Sequence, residues 1–486
     1  MLMKKIYLTI ALCLVAFWAQ SQITLPYSYI DINNVSMRVM GDGSNFDASF
    51  MENSCKAHEV PAGSDKSTIF AHSLWIGGLD AADSLFVSAM CHHQLGNDFW
   101  SGPLRLADAS VDLMTVLKYH HVWNLTRKEI DDFRLHYGEV NYEIPDDILM
   151  WPAHGEEGFA ENLAPFVDVN GDGRYNPMDG DYPDIKGDQC LFYIFNDNYS
   201  RHTESSGGEP GMGLEIHGMV YAFDAPDDEA LNNTVFFNYK IFNRSHKDYH
   251  DSYIAMWNDM DIGSGWDDFV GCDVLRSSFF TYNGDDFDEG SDEDLGYGSD
   301  WPVQVCTILA GPYMDADGRD NPAFNGDCAM LQDPEHPLDQ YAYNGYGFGN
   351  GIVDDERLGM CYSIYHDNTT ATNGTPNSPE EYYAWMSLQG MDLRFYFPAD
   401  SDPCNWGTGC NTPPSDFYAT EEDTGHRPSD RRVIGSCGPF QLAAGQMQEL
   451  DFAQITVFGN EEHAQMERKG DFIDHIREFF HNQYAK

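Results

Sequence analysis

The feature that most constrains the fold is a repeated punctuation. Strand-length apolar runs alternate with clusters of Gly, Pro, Asn and Asp, and no helical period joins one run to the next. Such runs occupy 68–76, 85–90, 114–123, 190–195, 215–223, 234–242, 252–257, 303–310, 386–397 and 450–458. In 234–242, Val235, Phe237, Tyr239 and Ile241 fall on every second position, the pattern of a half-buried strand. Many short strands with turn chemistry between them predict a mainly β chain of β-sandwich-type domains with long loops, notably 366–380 and 398–430. A doubly wound parallel sheet needs a helix after each strand, and that pattern is absent. Two helices are expected. Thr126-Arg-Lys-Glu129 is a capping box opening a short internal helix near 126–137. Met466, Phe472, Ile473, Ile476, Phe479 and Phe480 lie near a 3.6 period and predict a C-terminal amphipathic helix over 461–486, interrupted at Gly470.

The N-terminus predicts export. Lys4 and Lys5 precede an apolar run over 6–18, and Ala19-Gln20-Ser21 supplies a small-x-small cleavage site, so 1–21 reads as a signal peptide. That run is shorter than the roughly 20 residues a membrane span requires, and no later stretch is long and apolar enough to span. The remaining divisions are an N-terminal β-rich region over 22–165, an EF-like calcium loop and linker over 166–197, a β-sandwich region with Asp-rich loops over 198–460, and the terminal helix. Cys13 lies in the leader; the other cysteines belong to an exported chain, where disulfides form. Cys404 with Cys410 is the first expected pair and Cys306 with Cys328 the second; the alternative is that several are buried free thiols. There is no Cys-x-x-Cys, so neither a zinc ribbon nor a thioredoxin-type site is supported.

Charge narrows the function classes. The chain has 79 acidic and 27 basic residues, a formal net charge of −52, which argues against nucleic acid and anionic membrane surfaces as partners. Self-repulsion of that size points to divalent cations. The sharpest motif is Asp168-Val-Asn170-Gly-Asp172-Gly-Arg174-Tyr-Asn176-Pro-Met-Asp179, which fits D-x-[DN]-x-[DN]-G-x5-acid. Calcium takes six to eight oxygen ligands. Alternate side chains at 168, 170 and 172 converge as the loop curls, the Arg174 carbonyl and Asn176 follow, and Asp179 closes the shell. The flanks do not read as paired EF helices, so the loop is expected to stand alone in a β-rich protein. A second candidate is Asp259, Asp261, Asp267 and Asp268, and a third is Asp315, Asp317 and Asp320, joined by Asp354 and Asp355. The acid-rich stretch 285–300 reads as a solvated loop, with a further cation site as the alternative.

Further motifs resemble a known group. They include Ile69-Phe-Ala-His-Ser-Leu-Trp-Ile-Gly-Gly-Leu-Asp80, Gly96-Asn-Asp-Phe-Trp-Ser-Gly-Pro103, Trp151-Pro-Ala-His-Gly155 and Gly180-Asp-Tyr-Pro-Asp-Ile-Lys-Gly-Asp-Gln189. Tyr239-Lys-Ile-Phe-Asn-Arg-Ser245 and Gly351-Ile-Val-Asp-Asp-Glu-Arg-Leu-Gly-Met360 belong to the same set. With the 166–177 loop, these are similar to large exported proteins of the phylum Bacteroidota, typically cargo of the type IX secretion system: an uncharacterised, β-rich, calcium-loop family. The resemblance implies a cell-surface or secreted location and calcium in Asp-rich loops, and it carries over no biochemical activity. Such proteins usually end in a sorting domain, which this sequence lacks after its terminal helix; the expectation is periplasmic if that lack is real.

No Gly-x-Ser-x-Gly elbow or His-Glu-x-x-His is present, so no catalytic residue is assigned. His92-His93, His120-His121 and His154-Gly-Glu156-Glu157 read as packed, solvated or turn residues. Trp266, Trp301 and Trp406 lie in Gly/Asp/Pro-rich stretches and are candidates for stacking on sugar rings, whereas Trp75, Trp257 and Trp385 read as core. The expectation is an exported, calcium-stabilised, non-enzymatic protein for adhesion, surface structure or ligand capture. Its partners would be calcium ions and either a glycan or a cell-surface or outer-membrane protein. The alternative is a secreted hydrolase acting on polysaccharide or protein.

Overall fold

The computed structural model describes residues 25–46, 57–91, 96–205, 211–290, 295–332, 335–336, 338–367, 374–387, 402, 404, 421–422, 427–459 and 464–484. Residues 1–21, which the sequence reads as a signal peptide, lie outside these residues, as do His92, His93, Trp406 and Cys410.

The fold is mainly β and antiparallel. A nine-stranded sheet runs in the order Asp268–Asp273, Ser278–Asn283, Val303–Ala310, Met447–Val457, Thr234–Asn243, Leu214–Ala222, Gln189–Asn196. The two short strands Trp100–Ser101 and Trp123–Thr126 share the free edge of Gln189–Asn196. A six-stranded sheet runs Tyr362–Asp367, Arg431–Leu442, Tyr249–Asp259, Ala71–Asp80, with Asn45–Phe46 and Leu85–Ala89 both paired to the last. Segments from either side of residue 166 therefore share each sheet.

The two sheets stack around one core, which takes Leu191, Tyr193 and Phe195 from one strand and Val235, Phe237, Tyr239 and Ile241 from another. His72 of the smaller sheet meets the Phe237 ring of the larger, centroid to centroid at 5.1 Å. A buried polar pair crosses this interface: Gln454 donates to Asn258 at 2.6 Å. Beside it, Gln304 accepts at 2.7 Å from Thr456 of its own sheet and at 2.7 Å from Thr68 of the small sheet that includes Ser67–Ile69. Buried polar atoms left unpaired are costly, so such bridges help hold the two sheets in one register.

A second core lies on the far face of the nine-stranded sheet. Cys190, Phe192, Ile194 and Phe236 point there, towards Ile130 and Phe133 of the helix Arg127–His136 and Phe472, Ile473 and Ile476 of the helix Ala464–Tyr484. The strand Thr234–Asn243 is thus covered on both faces, not half-buried. Alternation marked only the face of Val235, Phe237, Tyr239 and Ile241, and Phe236 between them was the signal for the second core. The outer face of the six-stranded sheet is covered by the helix Pro379–Ser387, where Tyr382 packs edge-on to Trp75 at 4.7 Å and Tyr383 against Tyr253 at 5.8 Å. Trp75, Trp257 and Trp385 are core residues, as expected.

Both expected helices form. Thr126 and Glu129 make the reciprocal capping box, and the terminal helix runs through Gly470 without interruption. Four more α-helices occur among the described residues: Leu113–Lys118, Asp146–Leu149, Glu229–Asn232 and Pro379–Ser387. The first corrects the strand expected over 114–123. Asp112 caps it by accepting from Thr115 N–H, and the strand begins only at Trp123. Leu113, Met114 and Leu117 are exposed on it, so an apolar run here did not mean burial.

The disulfide differs from both expectations. Cys404 is bonded to Cys328, not Cys410, and Cys306 is a buried free thiol. Proximity in sequence favoured the nearest cysteine, whereas the fold carries the short helical turn Cys328–Gln332 to Cys404.

Candidate metal centre

Strand Tyr249–Asp259 of the six-stranded sheet ends at Asp259, whose cross-strand partner is Arg432. The chain then crosses through 260–267 to Asp268–Asp273, the edge of the nine-stranded sheet. The crossover is pinned at one end of the sandwich, where Phe70 N–H donates to Asp259 O and Gly263 N–H to Ser67 O. Asp430 stands just before the strand Arg431–Leu442, alongside the same crossover.

Oxygens of Asp259, Asp261 and Asp430 all lie within 4.8 Å of one another, and among the described residues no other three metal-ligating acid, Cys or His side chains converge so closely. Arg432 is the positive charge beside them, with Nε 3.1 Å from Asp259 Oδ2 and Nη1 2.5 Å from Asp430 Oδ1. Asp259 Oδ1 is out of solvent with no hydrogen-bond donor. Asp268 is fully buried; its Oδ2 accepts Ile262 N–H at 2.9 Å, and its Oδ1 has no donor. Asp288 closes the group, accepting from Ser264, Gly290 and Tyr297 N–H. Two glycines permit this approach. A Cβ at Gly263 would sit 2.0 Å from Asp288 Oδ2, and one at Gly265 would sit 2.3 Å from Asp261 Oδ1.

Electrostatics follow from this crowding. Burial pushes the Asp259 carboxyl up to about 7, against the pull of Arg432 and with the push of Asp430. Burial, then Asp288, Asp285 and Glu289, push Asp267 up to about 6. Burial also raises Asp268 far above the carboxylate range, with Asp261, Asp267 and Asp288 adding like charge. Carboxylates so placed ionise together only if a cation offsets them. The donor set is oxygen only, and its atoms lie close enough to share one hard cation.

Sequence placed Asp259, Asp261, Asp267 and Asp268 in one group. It missed Asp430, Asp288 and Arg432. Asp288 belongs to the 285–300 stretch expected to be solvated, yet it is buried. The signal for Asp430 was an acid followed by Arg431 and Arg432 at the start of an apolar strand.

The 168–179 loop is framed by the two-residue strands Phe166–Val167 and Tyr182–Pro183. Its alternate side chains turn onto the loop's own amides. Asp168 accepts from Gly171 and Gly173 N–H at 2.7 Å each, Asn170 from Asp172 N–H at 2.9 Å, and Asp172 from Arg174 N–H at 2.8 Å. Those amides, chiefly Gly173, hold the Asp168 carboxyl below its usual range. Asn176 Nδ2 donates to Asp179 at 2.6 Å. Asp181, just past the motif, is fully buried and accepts from Val169 and Asn176 N–H, fastening both ends of the loop. His154 Nε2 accepts Tyr175 N–H at 3.0 Å, so this histidine serves the turn, as expected.

The third group separates. Asp315 accepts Gln441 N–H and leaves the cluster, while Asp354 Oδ1 accepts the N–H groups of Asp317 and Gly318 at 2.8 Å each. Of the tryptophans, Trp266 is 68% exposed in the 260–267 crossover, and Trp301, at 3%, is a core residue and not a surface platform. Comparison with known proteins finds no matching family model and no matching curated protein.

Proposed function

We propose that the chain is an exported, calcium-stabilised, non-enzymatic binding protein, with its Asp-rich crossovers acting as ion-held supports for ligand-presenting loops. One observation carries this reading: the convergence of Asp259, Asp261 and Asp430 beside the buried Asp268, whose Oδ1 lacks a donor. The Lys4-Lys5 leader with its apolar run supports export. Trp266 stands exposed on the same crossover, a ring available to stack on a sugar. In this reading Asp259, Asp261, Asp268 and Asp430 hold the ion, and Arg432 shares the charge of Asp259 and Asp430.

The test is thermal unfolding of the chelator-stripped protein with and without calcium, alongside metal content by mass spectrometry. A ligand bound only by the native state at a hundred times its Kd adds about 2.7 kcal/mol. Asp261→Asn with Asp430→Asn is expected to remove most of that gain. Identical melting with EGTA and with calcium, and no retained metal, would overturn the reading. Trp266→Ala is expected to leave the calcium response intact and to weaken retention on immobilised polysaccharide.

A further inference from the structure

A second acidic region stands apart from the centre at Asp259. After the strand Val303–Ala310 the chain leaves the sandwich, and it returns at Tyr362–Asp367. The outgoing and returning limbs of this excursion run side by side. Gly311 N–H donates to Leu358 O, Leu358 N–H to Pro312 O, Met314 N–H to Glu356 O, Asp354 N–H to Arg319 O and Gly349 N–H to Asn321 O, all at 2.7–2.9 Å. Between the limbs stand Asp317, Asp320, Asp354, Asp355 and Glu356, with Asp339 against them. Arg319 is the cation that faces them, 3.9 Å from Asp317 and 3.7 Å from Asp339. Arg357 turns the other way, into Ala310 O, Glu449 O and Asp451.

Most acceptors here have donors. Asp317 Oδ1 takes Arg319 N–H, Asp320 Oδ2 takes Gly351 N–H, Asp355 Oδ2 takes Asn350 Nδ2, and Glu356 Oε1 takes Asn321 N–H. Three acceptor oxygens remain out of solvent with none: Asp320 Oδ1, Asn321 Oδ1 and Asp355 Oδ1. Asn321 is only 1% exposed. Its orientation is fixed, because Nδ2 donates to Asp339 Oδ1 at 2.6 Å and to Asp317 Oδ2 at 3.2 Å, which turns its carbonyl oxygen away from both. Asn321 N–H on Glu356 Oε1 and Gly351 N–H on Asp320 Oδ2 bring residues 320–321 of one limb against 351–356 of the other. Buried oxygens without donors, on two limbs that carry excess negative charge, are the surroundings a hard cation requires.

We infer that the two limbs clasp a calcium ion through Asp320, Asn321 and Asp355, making the root of the 312–358 excursion a second, separate cation site. This ligand set is not the one that spacing suggested: Asp315 has left it, both Asp317 oxygens are engaged, and Asn321 and Asp355 enter. The ion closes the neck of a segment that also holds the Cys328–Cys404 disulfide and the buried Tyr341 and Tyr343. Losing it opens the neck while leaving the sheets paired.

The experiment uses the full chain and calcium alone as probe. Ion stoichiometry is measured on chelator-stripped protein by calorimetric titration, and limited proteolysis follows cleavage within 312–358. With calcium in excess, cleavage there is expected to slow about tenfold or more, as for an open form disfavoured by a bound ligand. Asp320→Asn with Asp355→Asn keeps the shape of both side chains; it is expected to bind one ion fewer and to lose the protection. Asp261→Asn with Asp430→Asn is expected to keep the protection, which separates failure of this site from failure of the first. Unchanged stoichiometry in the Asp320/Asp355 variant, or cleavage in the wild-type chain that ignores calcium, overturns the inference. The wild-type proteolysis stands even if the variant fails to fold.

Discussion

His202 shows how much a single residue carries that its neighbours in sequence do not announce. Its Nδ1 lies 3.0 Å from Val87 O and its Nε2 2.6 Å from Asp197 O, and carbonyl oxygens only accept, so both nitrogens bear protons and the ring is an imidazolium. Burial opposes that charge. Asp98, at 3.4 Å, with Asp197 and the two backbone acceptors, outweighs it and raises the pKa above the ordinary histidine value. A raised folded pKa gives stability that is complete below the unfolded value of about 6.5 and is lost as pH rises through the folded value. The urea midpoint is therefore expected to fall between neutral and alkaline pH, and in His202→Gln that part of the pH dependence should vanish. The substitution breaks a buried ion pair and should cost about 3–5 kcal/mol. A midpoint with the same pH dependence in both proteins would show the ring to be neutral. Other residues were legible directly: Thr126 and Glu129 cap a helix because both partners lie within one turn. Cys404 was legible only as a cysteine, since its partner is a matter of where two distant loops meet.

At the scale of elements, pattern succeeded where one face of an element is buried and failed where both are, or where a short helix packs by aromatic rings. The terminal helix buries Phe472, Ile473, Ile476 and Phe480, and the 3.6 period marked that face. Its polar side is tied down as well: Arg276 forks onto Asp474 at 2.8 and 2.9 Å, and Arg477 reaches Ile308 O at 2.6 Å. Ile476→Ala is expected to destabilise the protein by about 2–5 kcal/mol, the range for a cavity in a packed core, measured by denaturant unfolding. A cost within a few tenths of a kcal/mol would mean the helix is not part of the cooperative unit. The helix Pro379–Ser387 was hidden because Tyr382, Tyr383, Trp385 and Met386 are nearly consecutive and show no 3.6 period; Met386, expected to open a strand over 386–397, lies in this helix, and 388–397 fall outside the described residues.

For the whole molecule the net charge of −52 sets the terms. Long-range repulsion between exposed acids is screened by salt, with the Debye length falling from about 30 Å at 0.01 M to about 3 Å at 1 M. Ions held by converging buried carboxylates are screened far less. The melting temperature of chelated protein is therefore expected to climb steeply with sodium chloride, and that of calcium-loaded protein to climb less. Magnesium at the same concentration is expected to recover only part of the calcium effect, because it prefers few protein ligands and retained waters. Equal responses to salt in the two states, or full recovery by magnesium, would place the excess charge on the open surface and not at held ions.

By itself the sequence determined what is set within a few residues: strand-length alternation, the capping box at Thr126, the Asp-Gly turns of 168–179 and the large excess of acid over base. Local steric and hydrogen-bonding rules act at that range, so the pattern suffices. Tertiary structure alone decided which acids meet. Asp430 joins Asp259 because the strand that follows it sets Arg432 opposite Asp259, Asp288 leaves a polar stretch because Gly263 leaves room for it, and Asp315 departs because Gln441 offers an amide. Long-range pairing of strands and loops sets those distances, and with 79 acids to choose from no spacing along the chain could select them.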